Sequence, residues 1–446
     1  MAAVPPLLIS LDTDDLDVII RHPLALWGRT TVSDLIADLR ACESPEEYDS
    51  FQRLLFQCVW RLETERSQVR RTLKRVRKGQ PLSKDAPELA GGRDPHDVAN
   101  WRLEDVVYER TLRQLRSVGD AFAWRVCGFD RRFILAVSRN EPAGPMAGKE
   151  GLGYELGAVN DIWEERHHFT LLHDLTSCLR IGDLTEFTSD GGRFLHEVKK
   201  SGRPTPAQRQ RMHAAVSALN DGSPLPGTDE RLVRVDYDFE THLDHLRDGM
   251  ALAEDRGVVG MKVPGGRALT VANLLTMATS DRFTDPADWL VEMDNTRASA
   301  LRRARIGDAI HHLNMRSADA AARSSMAVPY GIYPMPPEHC ADLICDYAIA
   351  EVVLSIDSIF EAVESHGMRP ELLLPDASGE LMASQPMFRL HSGNRALVVH
   401  SPVASQLLVE LVSVDAFLNA LAELLRRPLV PASPVMTFRN EDSVWI

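Results

Sequence analysis

The chain has 446 residues, of which 44% are hydrophobic and 26% charged, an ordinary globular composition whose length predicts two or three domains. Its formal net charge of −14 argues against a generic nucleic-acid coat protein, although a local basic cleft would be compatible with it. No apolar run is long enough for a membrane span or a signal peptide, and six cysteines without a CxxC pair argue against a zinc or disulfide framework, so we expect a cytoplasmic protein with no membrane association.

The first region, residues 1–94, is predicted to be helical. After an extended start of about 30 residues, apolar residues at spacings of three and four predict helices up to residue 78. The second of these helices has a basic end, which fits either a solvated helix face or an arm that contacts phosphate. A linker rich in Gly, Pro and charge then closes the region.

Strands and helices alternate through the middle of the chain, residues 95–268. The predicted helices cover residues 97–116, 154–166, 207–219 and 242–255. The predicted strands lie in AFAWRVCGFDRRFILAVSRN (two strands), FTLLHDLTSCLRIGDLTEF, RFLHEVKKS, RLVRVDY and GVVGMKV. This alternation predicts an α/β domain.

The last region, residues 269–446, is predicted to be mostly helical or α+β. Helical patterns dominate to about residue 325, and a Pro-rich connector and a helix over residues 341–365 follow. ALVVHS predicts a strand, and residues 414–427 predict a final helix. Because no chemical motif occurs here, we expect this region to recognise a protein partner, to set a homo-oligomeric state or to gate the rest of the chain.

Two familiar patterns are excluded. The segment AGPMAGKEG is no phosphate-binding loop, because Gly144 and Gly148 enclose only three residues and Glu150 replaces the hydroxyl residue. The adjacent histidine pairs, 167–168 and 311–312, lack the spacing of a HExxH-type ligand pair, since neighbouring side chains point apart.

The segment GDLTEFTSDGGRFLHEVKK carries charged residues on what are predicted to be buried strands. Asp183 closes one strand, and Glu197 and Lys199 share a face of the next because they are two residues apart. In an antiparallel pair of suitable register, Asp183 would lie beside Glu197. Two adjacent carboxylates repel each other, and Mg²⁺ or Mn²⁺ would relieve that repulsion. A neighbouring lysine can then hold a water or a transition-state oxygen.

With the order of the surrounding elements, this segment resembles the PD-(D/E)XK nuclease superfamily over residues 147–263. Gly182 stands where the superfamily's name has a proline. The resemblance implies a restriction-endonuclease-like mixed sheet flanked by helices, with an N-terminal helical region and a C-terminal helical or α+β region beside it. It also implies that Asp183 and Glu197 ligate the metal and that Lys199 orients water or stabilises charge.

The resemblance implies further site residues on the flanking helices. Gln208 and Arg211 loosely match the position after the lysine strand, and Glu155 is the candidate acidic residue on the preceding helix, with Glu164 or Glu165 as the alternative. Asp174 lies an odd number of residues before Asp183, so on a continuous strand it would face the other way unless a bulge intervenes.

Basic residues surround the motif and predict contacts to a nucleic-acid backbone. They are Arg180, Lys200, Arg203, Arg209 and Arg211. An ordinary solvated surface is the alternative interpretation.

The expected function is a nuclease that uses Mg²⁺ or Mn²⁺ to hydrolyse phosphodiester bonds. The resemblance favours DNA over RNA and a role in defence or repair. Two alternatives stay open: a salt-bridged patch on an exposed sheet face without metal, and an inactive nuclease fold that serves as a scaffold or binding module.

Overall fold

The computed structural model describes residues 18–138, 144–199, 203–227, 231–236, 240–282, 286–306, 312–316, 328–373, 386–427 and 434–439. Its helices are α1 Pro23–Ala41, α2 Pro45–Val76, α3 Val98–Val126, α4 Arg131–Val137, α5 Leu152–Arg166, α6 Pro206–Asn220, α7 Leu243–Arg256, α8 Leu274–Thr279, α9 Pro286–Arg303, α10 Pro337–Ile344, α11 Ile356–Ser365, α12 Ser401–Ala404, α13 Gln406–Val409 and α14 Val414–Arg426. Its strands are β1 Phe169–Leu172, β2 Leu184–Phe187, β3 Arg193–His196, β4 Arg231–Asp236, β5 Val258–Val263, β6 Arg267–Asn273, β7 His312–Arg316, β8 Ala348–Ser355, β9 Arg369–Leu372, β10 Pro386–Ser392, β11 Arg395–His400 and β12 Pro434–Arg439. The fold is therefore mixed α/β.

Three long helices, α1 to α3, form the amino-terminal layer. A capping box starts α2: Ser44 Oγ accepts a hydrogen bond from the Glu47 backbone N–H, and the Glu47 carboxylate accepts one from the Ser44 N–H. The extended start predicted for the first 30 residues is wrong from Pro23 onward, where α1 begins.

The third helix, α3, continues through a segment for which two strands were predicted. Ala121, Phe122, Ala123 and Trp124 are consecutive and all buried, so the apolar pattern has no helical period to reveal. The second part of that segment forms α4. The prediction of strands at residues 121–140 is therefore wrong for the described residues.

The central antiparallel sheet has the strand order β1–β2–β3, with α5 before it in the chain and α6 and β4 after it. Leu184 pairs with Leu172 on one side and with His196 on the other. The single strand predicted from Phe169 to Phe187 is wrong, because a 3₁₀ turn at His173–Leu175 and an irregular loop interrupt it. Asp183 consequently precedes β2 and does not end a strand.

A second antiparallel sheet has the order β5–β6–β8–β7. Its strand β8 contains eight consecutive buried residues and lies inside the segment predicted as one helix, residues 341–365, so that prediction is wrong in its middle. The predicted domain boundary at residue 268 falls inside β6, every residue of which is buried. This sheet therefore joins strands from both sides of that boundary.

Two smaller pairings complete the fold: the antiparallel sheet β11–β10–β9 and the parallel pair β4–β12. One continuous hydrophobic cluster extends from Ile20 in the amino-terminal region to Leu425 in α14. Within the residues that the structure describes, no helix is long and apolar enough to cross a membrane.

Candidate active site

The backbone holds Asp183 between the ends of β1 and β3. Its N–H donates to the His196 carbonyl oxygen at 2.7 Å, and its own carbonyl oxygen accepts from the His173 N–H at 3.0 Å. Gly182 precedes it with φ +82°, and a Cβ there would lie 3.0 Å from the same His196 carbonyl oxygen. Glycine at residue 182 thus permits both the left-handed backbone and the close approach to β3.

Asp183 and Glu197 already share one cation, the ammonium group of Lys199. Lys199 Nζ lies 2.6 Å from Glu197 Oε1 and 3.6 Å from Asp183 Oδ2. The Val198 N–H donates to Asp183 Oδ2 at 2.8 Å. Since β3 ends at His196, Glu197 and Lys199 lie just beyond the strand. The structure thus brings the three predicted motif residues together.

The electrostatics of Lys199 follow from these two carboxylates. Burial alone would lower the pKa of Lys199, but the hydrogen bond to Glu197 and the charge of Asp183 outweigh it and raise the pKa above the ordinary lysine value. Lys199 therefore stays protonated at neutral pH. It can donate to a water or to a phosphoryl oxygen.

Gln208 ties the start of α6 to this group. Its Nε2 donates a short hydrogen bond to Glu197 Oε1. Its Oε1 accepts from the Thr205 N–H at 2.9 Å, which completes a capping box with Thr205. The same side chain therefore caps the helix and orients Glu197.

A second ammonium group, that of Lys149, occupies the other side of Asp183. Lys149 Nζ lies 2.8 Å from Glu155 Oε1, 2.7 Å from Asp174 Oδ2 and 3.9 Å from Asp183 Oδ1. Burial lowers the pKa of Lys149, but its bonds to Asp174 and Glu155 more than offset this effect and the pKa rises. No sequence motif predicted a role for Lys149, which lies in the segment rejected as a phosphate-binding loop.

Glu155 is the predicted helix carboxylate that reaches the cluster. It is 1% exposed, and burial raises its pKa above the ordinary glutamate value despite the nearby Lys149. The alternatives, Glu164 and Glu165, are exposed near the far end of α5. That end lies about 14 Å further along the helix axis, at 1.5 Å per residue.

Asp174 joins the cluster because the strand prediction was wrong there. It sits in the 3₁₀ turn after β1, so the alternation that would have turned it away from Asp183 does not apply. The exception that the sequence analysis allowed was a bulge, and the structure has a 3₁₀ turn at this point instead.

His173 links the turn after β1 to Gly182 and Thr185 through its ring nitrogens. It is buried, its Nδ1 lies 3.0 Å from the Gly182 carbonyl oxygen, and its Nε2 lies 2.7 Å from Thr185 Oγ1. Burial lowers the pKa of His173 to about 3. The neutral ring therefore donates to the carbonyl from Nδ1 and accepts the Thr185 hydroxyl proton at Nε2.

The five predicted phosphate contacts fall into different settings. Arg180 turns inward, where its guanidinium donates to the carbonyl oxygens of Ser177 and Thr176 within its own loop. Arg203 and Arg209 are exposed, and Arg211 is half-buried on α6. Lys200 lies outside the described residues.

The opposite face of the central sheet carries a separate buried carboxylate, Glu186. Its oxygens lie 2.7 Å from His168 Nδ1, 2.8 Å from His196 Nε2 and 3.3 Å from Arg166. Burial would raise the pKa of Glu186, but the two histidines and Arg166 lower it overall. Because side chains alternate along β2 and β3, this group does not face Asp183.

One tight group of ligand-type side chains occurs elsewhere in the described residues, at the start of α7. The ligand atoms of His242, Asp244 and His245 all lie within 4.8 Å of one another. Burial and the positive charge of Arg267 lower the pKa of His242. Since this buried guanidinium opposes a further cation, we assign no metal to the group.

The acidic cluster around Asp183 combines the predicted motif residues with two further carboxylates, but no three of these described carboxylates have oxygens all within 4.8 Å of one another. Four carboxylates, those of Glu155, Asp174, Asp183 and Glu197, face the two ammonium groups of Lys149 and Lys199. No protein-family model, no curated protein and no solved structure matches this chain.

Proposed function

We propose that the chain is a nuclease that uses Mg²⁺ or Mn²⁺ and has a restriction-endonuclease-like core. The observation that carries the proposal is that Asp183 and Glu197 converge on one cation, Lys199 Nζ, at 3.6 and 2.6 Å. The surrounding elements support it, because a helix, α5, precedes the strands around the motif, and a helix and a strand, α6 and β4, follow them.

The ligands of the cluster fit such a metal by their chemical type. All four carboxylates of the cluster offer hard oxygen ligands, which suit Mg²⁺ and Mn²⁺. They outnumber the two ammonium groups, so the cluster keeps an excess of negative charge. Burial, with a smaller effect of the charges of Asp183 and Asp174, raises the pKa of Glu155, and Lys149 offsets only part of this rise.

When bound, the metal would polarise the phosphoryl group and lower the pKa of a coordinated water. Lys199 would donate to the attacking water or to a non-bridging phosphoryl oxygen and stabilise the charge that develops there. Gln208 would keep Glu197 in place through its short hydrogen bond. In the reaction a water oxygen bonds to phosphorus, the bond from phosphorus to the leaving sugar oxygen breaks, and that oxygen takes up a proton.

DNA is the proposed substrate, on the basis of the resemblance. Arg203, four residues after Lys199, and Arg209, on α6, are both exposed. They support the proposal because arginine side chains commonly contact the phosphate backbone of DNA. A cytoplasmic location is also proposed, because all six cysteines are free thiols, as is usual in a reducing compartment.

The test is nicking of supercoiled plasmid with Mg²⁺ or Mn²⁺. Lys199→Ala and Asp183→Asn should each reduce cleavage by roughly a hundredfold or more, the usual effect of removing one group that stabilises transition-state charge. Lys262→Ala is the matched control, since Lys262 is exposed on β5.

Two results would contradict the proposal. Metal-dependent cleavage that survives in both site variants would remove Asp183 and Lys199 from the mechanism. Absence of cleavage on duplex DNA, single-stranded DNA and RNA would favour the alternative of an inactive fold that binds a partner.

A further inference from the structure

The ammonium group of Lys149 lies among the carboxylates on which a metal would depend. Its three carboxylate neighbours, those of Glu155, Asp174 and Asp183, are 2.7–3.9 Å from Nζ. Asp183 belongs to both halves of the cluster, since its Oδ1 faces Lys149 and its Oδ2 faces Lys199. A divalent cation that binds Asp183 would therefore lie close to Lys149 Nζ.

Two positive charges at such short range repel each other strongly in a partly buried site. Lys199 is retained by Glu197 and has a part in the proposed chemistry, whereas Lys149 has no part in it. Asp183 lies beside Lys149 and is one of the two carboxylates on which the proposed metal site rests, and Glu155, the predicted additional site residue, is bound to the same ammonium group. Metal and Lys149 Nζ are thus competitors for the same oxygens.

The backbone next to Lys149 is fixed, but its side chain has access to solvent. The Ala147 N–H donates to Glu63 Oε2 on α2 at 2.7 Å, and Arg116 on α3 contacts both Glu63 and the Gly144 carbonyl oxygen. The Lys149 side chain is 31% exposed. The ammonium group can therefore leave the cluster by rotation of the side chain alone, with the backbone anchored.

We propose that Lys149 is an internal competitor that regulates metal binding at this site. Without metal, its ammonium group neutralises Glu155 and Asp174 and so stabilises the folded protein against the repulsion between these carboxylates. Metal binding displaces the ammonium group into solvent, so the protein binds metal more weakly than its four carboxylates would otherwise allow. The inference rests on the proposed function, because it assumes that the cluster binds Mg²⁺ or Mn²⁺.

The test is calorimetric titration of Mn²⁺ alone into the full chain, without nucleic acid. Lys149→Met should bind Mn²⁺ about tenfold more tightly than the wild type, within the usual range for two ligands coupled through one site. Lys149→Arg keeps the charge and should bind close to the wild-type affinity. Lys262→Met, which removes an exposed lysine on β5, is the charge control and should change nothing.

Thermal unfolding gives a second readout. Without metal, Lys149→Met should have a lower Tm than the wild type, because Glu155 and Asp174 lose their counterion. Saturating Mn²⁺ should raise the Tm of Lys149→Met by more than it raises that of the wild type, as tighter binding to the folded state requires. If Lys149→Met does not fold, Lys149→Gln, which can still donate a hydrogen bond to Glu155, should shift the affinity in the same direction.

Equal or weaker Mn²⁺ binding by Lys149→Met and Lys149→Gln than by the wild type would overturn the inference and make Lys149 a positioning residue. Plasmid cleavage, measured in parallel, separates this result from failure of the proposed function. Cleavage by the wild type without a gain in affinity in Lys149→Met overturns the inference alone. A gain in affinity without any cleavage overturns the nuclease alone, and absence of Mn²⁺ binding in every variant overturns both.

Discussion

Two buried glutamates on opposite faces of the central sheet have opposite shifts of pKa. Glu155 has one lysine and two further carboxylates around it, and burial raises its pKa. Glu186 is equally buried, but His168, His196 and Arg166 surround it and its pKa is lowered. The sign of each shift is the balance between burial, which raises the pKa of a carboxyl group, and positive partners, which lower it. We therefore expect Glu186 to stabilise the sheet, whereas Glu155 lies in a cluster that has more carboxylates than ammonium groups.

The lowered pKa of Glu186 predicts a pH dependence of stability. Because the folded protein holds the ionised carboxylate more firmly than the unfolded chain does, the stabilisation is complete above the unfolded pKa of about 4.3 and is lost as the pH falls through the folded pKa. Glu186→Gln should flatten the fall of the unfolding free energy below about pH 5, as measured by urea denaturation. The control Glu164→Gln removes an exposed carboxylate of α5, and an equal flattening there would contradict the assignment.

Some individual residues of the candidate site could be predicted from the sequence. Asp183, Glu197 and Lys199 follow a short motif, and Glu155 and Gln208 lie at the expected places on the flanking helices. Lys149 and Asp174 follow no motif, because their contact depends on a turn and a loop that only tertiary packing brings together. Arg180 is predicted to contact a nucleic-acid backbone, but its guanidinium donates to backbone carbonyl groups of its own loop.

The first turn of α6 combines helix capping with the site. Thr205→Ala should destabilise the protein by about 1 kcal/mol, the usual effect of losing an N-cap side chain, with little change in Mn²⁺ affinity. Gln208→Ala should cause a similar destabilisation and should also weaken Mn²⁺ binding and cleavage, because Glu197 loses its hydrogen bond. Urea denaturation and titration of Mn²⁺ measure the two effects. A change in Mn²⁺ affinity of the same size in both variants would contradict the distinction.

Two residues of helix α3, Gly119 and Asp120, contact the loop that carries Asp174. A Cβ on Gly119 would lie 1.9 Å from the Leu175 carbonyl oxygen, and Asp120 accepts hydrogen bonds from the N–H groups of Ser177 and Cys178 at 2.6 and 2.8 Å. The helix and the loop are therefore packed backbone to backbone. The loop cannot move away without loss of these bonds.

Gly119→Ala should therefore destabilise the protein by about 1–3 kcal/mol, the usual cost of overpacking, and should weaken Mn²⁺ binding by displacing the turn at Asp174. Urea denaturation and Mn²⁺ titration check both effects. The control is Gly153→Ala on α5, where a Cβ meets nothing within 4 Å and alanine should stabilise the helix by about 0.5–1 kcal/mol. Equal stability changes in the two variants would show that close packing at Gly119 is unimportant.

Elements with one exposed face were predictable, whereas buried ones were not. The helices α5 and α6 and the strand β11 follow their patterns closely, because polar residues mark their outer faces. The end of α3 and the strand β8 are buried on all sides and mostly apolar, and such short apolar runs do not distinguish a helix from a strand. The errors therefore concentrate where the structure is most buried.

At the scale of the whole molecule, the second sheet links the middle of the chain to its last third. Arg267, fully buried at the start of β6, donates to the carbonyl oxygens of Leu407 and Val412 at 2.8 Å each. The strand β6 also pairs along its length with β8. A fragment that ends at residue 268 would lose both sets of bonds.

We expect a fragment of residues 95–268 to lack a cooperative thermal transition, because β6 would be cut and its buried partners would be missing. Circular dichroism at increasing temperature, with the full chain as the reference, measures this directly. A sharp transition of the isolated fragment would show instead that these residues fold as a domain of their own.

The parallel pairing of β4 with β12 has a consequence for the order of assembly. The paired residues, Arg231 with Pro434 at one end and Asp236 with Arg439 at the other, are separated by roughly 200 residues of chain, a long loop to close. During synthesis β4 emerges long before its partner strand exists. The strand β4, which follows α6, therefore stays unpaired with β12 until the end of the chain has been made. The proposed catalytic core can gain its full set of strand pairings only when the ribosome has made most of the chain.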